Sequence, residues 1–221
     1  MTIFERTLEP SGDAADDLAA LFHERGSTIR FAPGTTIAHQ GETAGSVYRI
    51  RRGCVRSSMY SSEGERRILQ FLQADDFLGL SDAALWLAAQ EAVDTVVLET
   101  LPRSVFEARL QFCPSLQRAV RHALATQVEA HASLFALTSQ TTAVERVRLF
   151  LEDYQSSRTS TGFVSLPMGR RDIADHLGLS METVSRAFST LKAEGKIELK
   201  GANFFRLVQP RTTDGGYANA A

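Results

Sequence analysis

From residue 27 to about 101, apolar and polar side chains alternate in short runs, and glycines at 34, 41, 45, 53, 64 and 79 break the runs apart. Residues 46–50 and 67–71 each place every second side chain on one face, the pattern of a half-buried strand. Residues 93–99, VDTVVLE, are rich in β-branched side chains and predict a further strand. The stretch SSEGER (61–66) predicts a hairpin tip, with Gly64 where the backbone needs a positive φ. Many short strands punctuated by turn signals predict an antiparallel sandwich or barrel.

The period then lengthens. Residues 114–140 contain no glycine, and their one proline stands first, where a helix tolerates it. Apolar or small residues recur at Leu116, Val120, Ala123, Leu134 and Leu137 in steps of four and three, and Gln127 interrupts them. That is close to a heptad seam. A helix of this kind packs on its own domain or pairs with a second copy. Because both flanking segments read as complete domains, the spacing favours a homodimer. A second amphipathic helix is predicted over 143–154, with Val144, Val147, Phe150 and Leu151 on one face, followed by a polar loop at 155–162. The chain therefore divides into a β domain (1–112), a dimerisation helix (113–141), a C-terminal domain (142–209) and a disordered tail (210–221). The class is α+β.

The C-terminal domain carries the most informative stretch, RRDIADHLGLSMETVSRAF (170–188). Apolar residues at Ile173, Leu177, Leu179, Val184 and Ala187, a small Ala174 and a glycine at 178 fit two short helices meeting at a turn. Ser180 is a good N-cap for the second, able to accept from the N–H of residue 182 or 183. With Val184, Ala187, Phe188 and Leu191 turned inward, helical geometry turns Met181, Glu182, Ser185, Arg186 and Ser189 outward. The front of a second helix is where a helix-turn-helix meets base edges in the major groove. Arg186 can donate to guanine O6 and N7, Glu182 can accept from cytosine N4, and Ser185 can reach several edges. Arg170, Arg171, Ser180, Thr183 and Ser189 suit phosphate contact. Residues 195–209 predict a hairpin around 201–203, a wing beside the duplex. The expected partner is double-stranded DNA.

Net charge, −2, argues weakly against nucleic acid until its distribution is considered. Residues 144–211 hold 11 Lys and Arg against 8 Asp and Glu, and all three lysines (Lys192, Lys196, Lys200) fall in that segment. A basic module joined to an acidic one is consistent with a DNA-reading domain. No apolar run approaches the ~20 residues that span a bilayer, and the first residues lack a secretory pattern, so a cytoplasmic protein is expected. Cys54 and Cys113, 59 positions apart, suggest neither a disulfide framework nor a metal site. No HExxH, Walker loop, GxSxG or GxGxxG is present, so an enzyme is not expected.

The wording LPMGRRDIADHLGLSMETVSRAFSTLKAEGKI (166–197), together with GTTIAHQGETAGSVYRIRRGCVR and GERRILQFLQADDFLGL upstream, resembles the Crp/Fnr transcription regulators, closest to the FixK-like branch. The resemblance covers nearly the whole chain. It implies a β-roll of the cyclic-nucleotide-binding type, a dimer helix, a winged helix-turn-helix and a partnership with RNA polymerase. The Fnr-type signature Glu-x-x-Ser-Arg is present as Glu182, Ser185 and Arg186. Met181 and Ser185 stand where Crp-type members have Arg and Gly. The resemblance thus implies a TTGAT-N4-ATCAA-like palindrome, Arg186 on the half-site guanine and Glu182 on the cytosine opposite, and control of microaerobic, nitrogen-fixation or denitrification genes.

The resemblance also implies places for effectors. No Lys or Arg lies between Arg67 and Arg103, and the place of the family's phosphate-pairing arginine reads AAQEAVDT (88–95). Burying a phosphate without a cation is prohibitively costly, so cAMP is not expected. Glu99 stands in place of the internal cysteine of iron–sulfur members, whose cluster takes four thiolates. Haem could use His39, His122 or His131, but no spacing singles one out. Cys54, close to Arg51, Arg52 and Arg56, is a possible redox thiol, and Cys113 a second. The most economical expectation is a regulator with no cofactor and no metal.

Overall fold

The computed structural model describes residues 12–156 and 162–208. The expected disordered tail and most of the polar loop lie outside the described residues. The β domain contains β1 (Ser27–Phe31), β2 (Thr36–Ala38), β3 (Ser46–Arg52), β4 (Val55–Tyr60), β5 (Arg66–Leu72), β6 (Phe77–Leu78), β7 (Ala89–Ala92) and β8 (Val96–Pro102). They form two four-stranded antiparallel sheets, ordered β1-β8-β3-β6 and β2-β7-β4-β5. The apolar phase of each strand faces between the sheets, where Ile50, Val55, Leu78, Ala92, Val96 and Leu98 are buried together. Gly64, at φ 81°, closes the β4–β5 hairpin as its sequence predicts.

The strand expected over 93–99 begins only at Val96. Residues 93–95 instead turn the chain from one sheet to the other. Val93 N–H donates to the Cys54 carbonyl at 2.8 Å, and Asp94 Oδ1 accepts from Cys54 N–H at 2.8 Å, pinning the turn. Two helices that the sequence pattern did not predict flank the sheets, α1 (Gly12–Arg25) and α2 (Arg103–Phe112). Leu18, Leu21 and Phe22 of α1 and Phe106 of α2 share a core with Val47 and Leu101. The spacing of that α1 trio was a helical signal available in the sequence.

The long helix α3 (Pro114–Gln140) runs over the expected residues with Pro114 in its first turn. Its expected seam faces this chain's own domains. Leu116 and Val120 are buried against α1 and Ala123 packs beside them, while Gln127 donates to the Phe77 carbonyl at 3.3 Å. Leu137 is buried in the C-terminal core and Leu134 packs against it. A different stripe faces outward. Arg121, Ala125, Val128, Ala132 and Phe135 are all exposed, in steps of four and three, with Val128 at 66% and Phe135 at 75%.

Only residues 141 and 142 separate α3 from α4 (Ala143–Ser156). Beyond them come β9 (Val164–Ser165), α5 (Arg170–Leu177), α6 (Met181–Ala193), β10 (Ile197–Lys200) and β11 (Phe204–Leu207). The expected hairpin is β10–β11, and β9 adds a third strand, in the order β10-β11-β9. Val147, Phe150 and Leu151 of α4, Ile173 and Leu177 of α5, Val184, Phe188 and Leu191 of α6, and Ile197 and Phe205 of the wing form one core. Cys54 of the β domain is buried in that core, and Phe71 packs against it. The two domains therefore share packing as well as a connecting helix.

Candidate nucleic-acid interface

Local chemistry fixes the helix-turn-helix. Gly178 ends α5 in the left-handed region (φ 66°), and the Leu179 N–H donates back to the Ala174 carbonyl at 3.0 Å, a glycine-dependent helix stop. Ser180 then caps α6, its Oγ accepting from Thr183 N–H at 3.1 Å and lying 2.8 Å from Thr183 Oγ1. Such a cap contributes about 1 kcal/mol. It also aims the first turn of α6, with its unsatisfied N–H groups, away from the core.

The side chains expected to read bases stand outside that core. Glu182, Ser185 and Arg186 are exposed on the first two turns of α6. Arg186 Nη2 and Glu182 Oε2 lie 3.9 Å apart with about four-fifths of each side chain in solvent (77% and 82%). At that exposure the pair is weak and opens readily to other partners. The Ser185 hydroxyl donates to the Met181 carbonyl at 2.9 Å and that of Ser189 to the Ser185 carbonyl at 3.1 Å, which leaves both oxygens able to accept. Arg171 and Ser180 are exposed at the starts of α5 and α6.

Arg170 is placed differently from its neighbour. Its guanidinium stacks 3.3 Å over the Phe188 ring, and Nη2 lies 3.4 Å from the Ala202 carbonyl at the wing tip. Burial lowers its pKa to about 10, so it remains a cation at neutral pH. In this geometry it ties the start of α5 to α6 and to the wing. Lys192, Lys196 and Lys200 are exposed.

The candidate effector positions fall into ordinary structural settings. Glu99 is buried and paired with Arg49 at 3.4 Å and Arg51 at 3.8 Å. In β7, Gln90 and Ala92 point between the sheets, and Gln90 Nε2 donates to Ser57 Oγ at 3.0 Å. The Cys54 side chain has no exposed surface, and nearby Arg56 is engaged with Glu91 and Asp172. A redox thiol is characteristically solvent-accessible, so this setting gives Cys54 no support in that role. Cys113 is half-buried at the start of α3. Its hydrogen bond to Ser115 and the Leu116 N–H lower its pKa. His39 and His131 are exposed and His122 is half-buried.

Sequence reasoning missed a second set of functional candidates at the seam between the domains. Arg56 Nη1 donates to both Asp172 oxygens (3.0 and 2.9 Å), and Arg66 reaches Asp172 at 2.7 Å and Asp175 at 2.6 Å. His176 Nδ1 lies 3.1 Å from the Ile68 carbonyl, its ring edge-on to Phe71 and Phe150. The i, i+3 spacing of Asp172 and Asp175 marked one helix face, but nothing in the linear sequence named arginines more than 100 positions away as its partners.

Burial lowers the pKa of His176 to about 4, opposed by the Ile68 hydrogen bond and reinforced by His131 on α3 and Arg67 on β5. Arg170, Arg171, Asp172 and Asp175 are the charged groups on its own helix. The unfolded chain takes up this proton first. Stability is therefore full above pH ~6.5, falls as pH drops from there towards ~4, and levels off below. The span corresponds to ~3 kcal/mol. Stability from urea unfolding at pH 7.5 and at pH 5 should differ by ~2 kcal/mol of that span, and His176→Gln should shrink the difference.

An antiparallel β domain, a long connecting helix and a winged helix-turn-helix with a polar reading face define a class of DNA-binding transcription regulators. Residues 28–111 match the cyclic nucleotide-binding domain and residues 145–212 the Crp-like helix-turn-helix domain. The nitrogen fixation regulation protein FixK of Azorhizobium caulinodans is 33% identical over 196 residues, 86% of this chain and 77% of that one. The transcriptional activator protein FnrA of Stutzerimonas stutzeri is 29% identical over 86% of this chain and 78% of its own. The structure of FixK2 from Bradyrhizobium japonicum superposes with a TM-score of 0.80 at 31% identity, covering 83% of this chain and 93% of that one. The chain belongs to the Crp/Fnr family of transcription regulators and is related to FixK and Fnr. Its family is not one of enzymes. Among the described residues no helix is long and apolar enough to cross a membrane.

Proposed function

We propose that this regulator acts as a homodimer reading a TTGAT-N4-ATCAA-like palindrome, with Arg186 on the half-site guanine, Glu182 on the opposing cytosine and Ser185 beside them. The observation that carries the reading is the exposed Glu182–Arg186 pair on the front of a capped, well-packed α6. Arg171, Ser180, Thr183 and Ser189 supply phosphate contacts, and Arg170 adds its charge while bracing the wing. Two such helices in successive major grooves must stand ~34 Å apart, which requires a symmetric pair. The outward stripe of α3 is the proposed dimer seam. The names of the FixK relatives support control of nitrogen-fixation genes, where the bound dimer meets RNA polymerase in the cytoplasm.

The reading includes no cyclic nucleotide. Its support is the lack of any lysine or arginine from 68 to 102, with Gln90 and Ala92 occupying the interior face of β7. Binding of the purified protein, without effector, to the palindrome and to a scrambled duplex at one moderate salt concentration tests it. The palindrome should win by 10³-fold or more, the usual margin of specific over non-specific sites. Equal binding overturns the assignment of α6, and a preference that arises only with added cAMP overturns the effector-free part.

A further inference from the structure

The recognition helix can match a fixed half-site spacing only if its domain is held at one angle to the dimer helix. One connection is the end of α3, where Leu134 and Leu137 pack in the C-terminal core and residues 141 and 142 lead into α4. Beside the apolar packing of Cys54 and Phe71, a charged seam joins the β domain to α5. Arg56 of β4 bonds Glu91 of β7 on its own domain through Nε and Nη2, and turns Nη1 to both oxygens of Asp172 on α5. Arg66 of β5 spans Asp172 and Asp175 with Nε and Nη2. All five side chains are between 12% and 22% exposed. Arg67 lies over the turn of the helix-turn-helix, its Nη1 2.8 Å from where a side chain on Gly178 would begin.

We infer that Arg56 and Arg66 are positioning residues for DNA reading. They grip Asp172 and Asp175 on the back of α5, set the angle of the recognition helix to the β domain, and so select the spacing between half-sites. This rests on the operator reading above. The physical reason is asymmetric. Pairs as covered as these add little net stability, because desolvation offsets attraction, but leaving one charge behind in the seam is costly. Planar guanidinium forks, meeting carboxylates at two points, penalise rotation and not only separation. Other orientations of the domain would strand Arg66 and both aspartates, so the populated range of angles narrows to one. The seam leaves the helix-turn-helix core intact, since Ile173, Ala174 and Leu177 of α5 face that core.

The Arg66–Asp175 pair offers the cleanest test, because Arg56 still bridges Glu91 and Asp172 when it is altered. Arg66→Asp and Asp175→Arg should each lower affinity for the four-base-spaced palindrome ~10-fold, the reduction expected when the competent orientation falls to about a tenth of molecules. Preference for that spacer over three- or five-base spacers should fall by a similar factor, while binding to a single half-site is unchanged. The double swap, Arg66→Asp with Asp175→Arg, should restore both. Hydrogen exchange of the full-length protein without DNA gives an independent readout. Residues 55–72 and 141–145 should exchange faster in the single variants, and α6 should stay protected.

Unchanged spacer preference and unchanged exchange in the single variants would overturn the inference. So would loss of α6 protection, which would make the seam a support of the fold, or a swap that folds yet fails to restore the spacing. Failure of the wild-type protein to prefer the palindrome would instead count against the operator reading, and the DNA-free exchange would still decide the seam.

Discussion

Arg186→Ala is expected to remove nearly all preference for the palindrome while leaving a folded protein that still binds DNA loosely. The side chain is 77% exposed and Glu182, which it approaches at 3.9 Å, is 82% exposed, so truncation should cost the fold within about 0.5 kcal/mol. Bound to guanine O6 and N7, the same guanidinium contributes ~1–3 kcal/mol of discrimination in each half-site. A twofold complex loses that twice, so specific affinity should fall by a factor on the order of 30 to 10⁴. Binding to scrambled DNA should fall only by the share of one cation per subunit. Arg186→Lys tells charge from geometry. A lysine keeps the cation but not the planar fork, so it should retain non-specific binding and recover little of the preference. Arg171→Ala should lower affinity for both duplexes alike and reduce the salt slope. If Arg186→Ala and Arg171→Ala behave the same way in a gel-shift titration, α6 is not the element that reads sequence.

Much of this interface is legible in the sequence because its determinants are local. The glycine at 178, the Ser180 cap and the inward set Val184, Ala187, Phe188 and Leu191 lie within one short stretch, and the outward set follows from helical geometry alone. The strands of the β domain are legible for the same reason, apart from the sheet-to-sheet turn at 93–95. There Asp94 bonds to Cys54, 40 positions earlier, and overrides the β propensity of Val93.

What the sequence conceals depends on long-range partners. Asp172 and Asp175 read as ordinary surface acids until β4 and β5 are laid against α5. His176 reads as a titratable residue near its usual pKa until Phe71 and Phe150 cover it. The seam of α3 is harder still. α3 carries two stripes that step by four and three, one packed on the chain's own domains and one exposed. Spacing cannot say which is which. Burial can, and it assigns Leu116, Val120 and Leu137 to the chain's own interior.

That distinction makes Phe135→Glu the sharper test of how the protein works as a pair. Phe135 and Val128 lie seven residues apart, 75% and 66% exposed, with Arg121, Ala125 and Ala132 continuing the stripe. Burying a phenylalanine gains up to ~3 kcal/mol, and a twofold seam buries two copies. Glutamate forfeits that gain and sets like charges against each other across the axis. Sedimentation should show a monomer at micromolar concentration, with a thermal midpoint close to wild type because three-quarters of the residue's surface lies in solvent. Palindrome affinity should drop 10²- to 10⁴-fold, the advantage lost when the second half-site is no longer bound intramolecularly, while affinity for one half-site stays constant. Leu137→Glu, two residues along but buried, should instead unfold the C-terminal core. A Phe135→Glu protein that remains dimeric and keeps its palindrome affinity would move the twofold contact off α3. The ~34 Å spacing of the two recognition helices would then need a different scaffold.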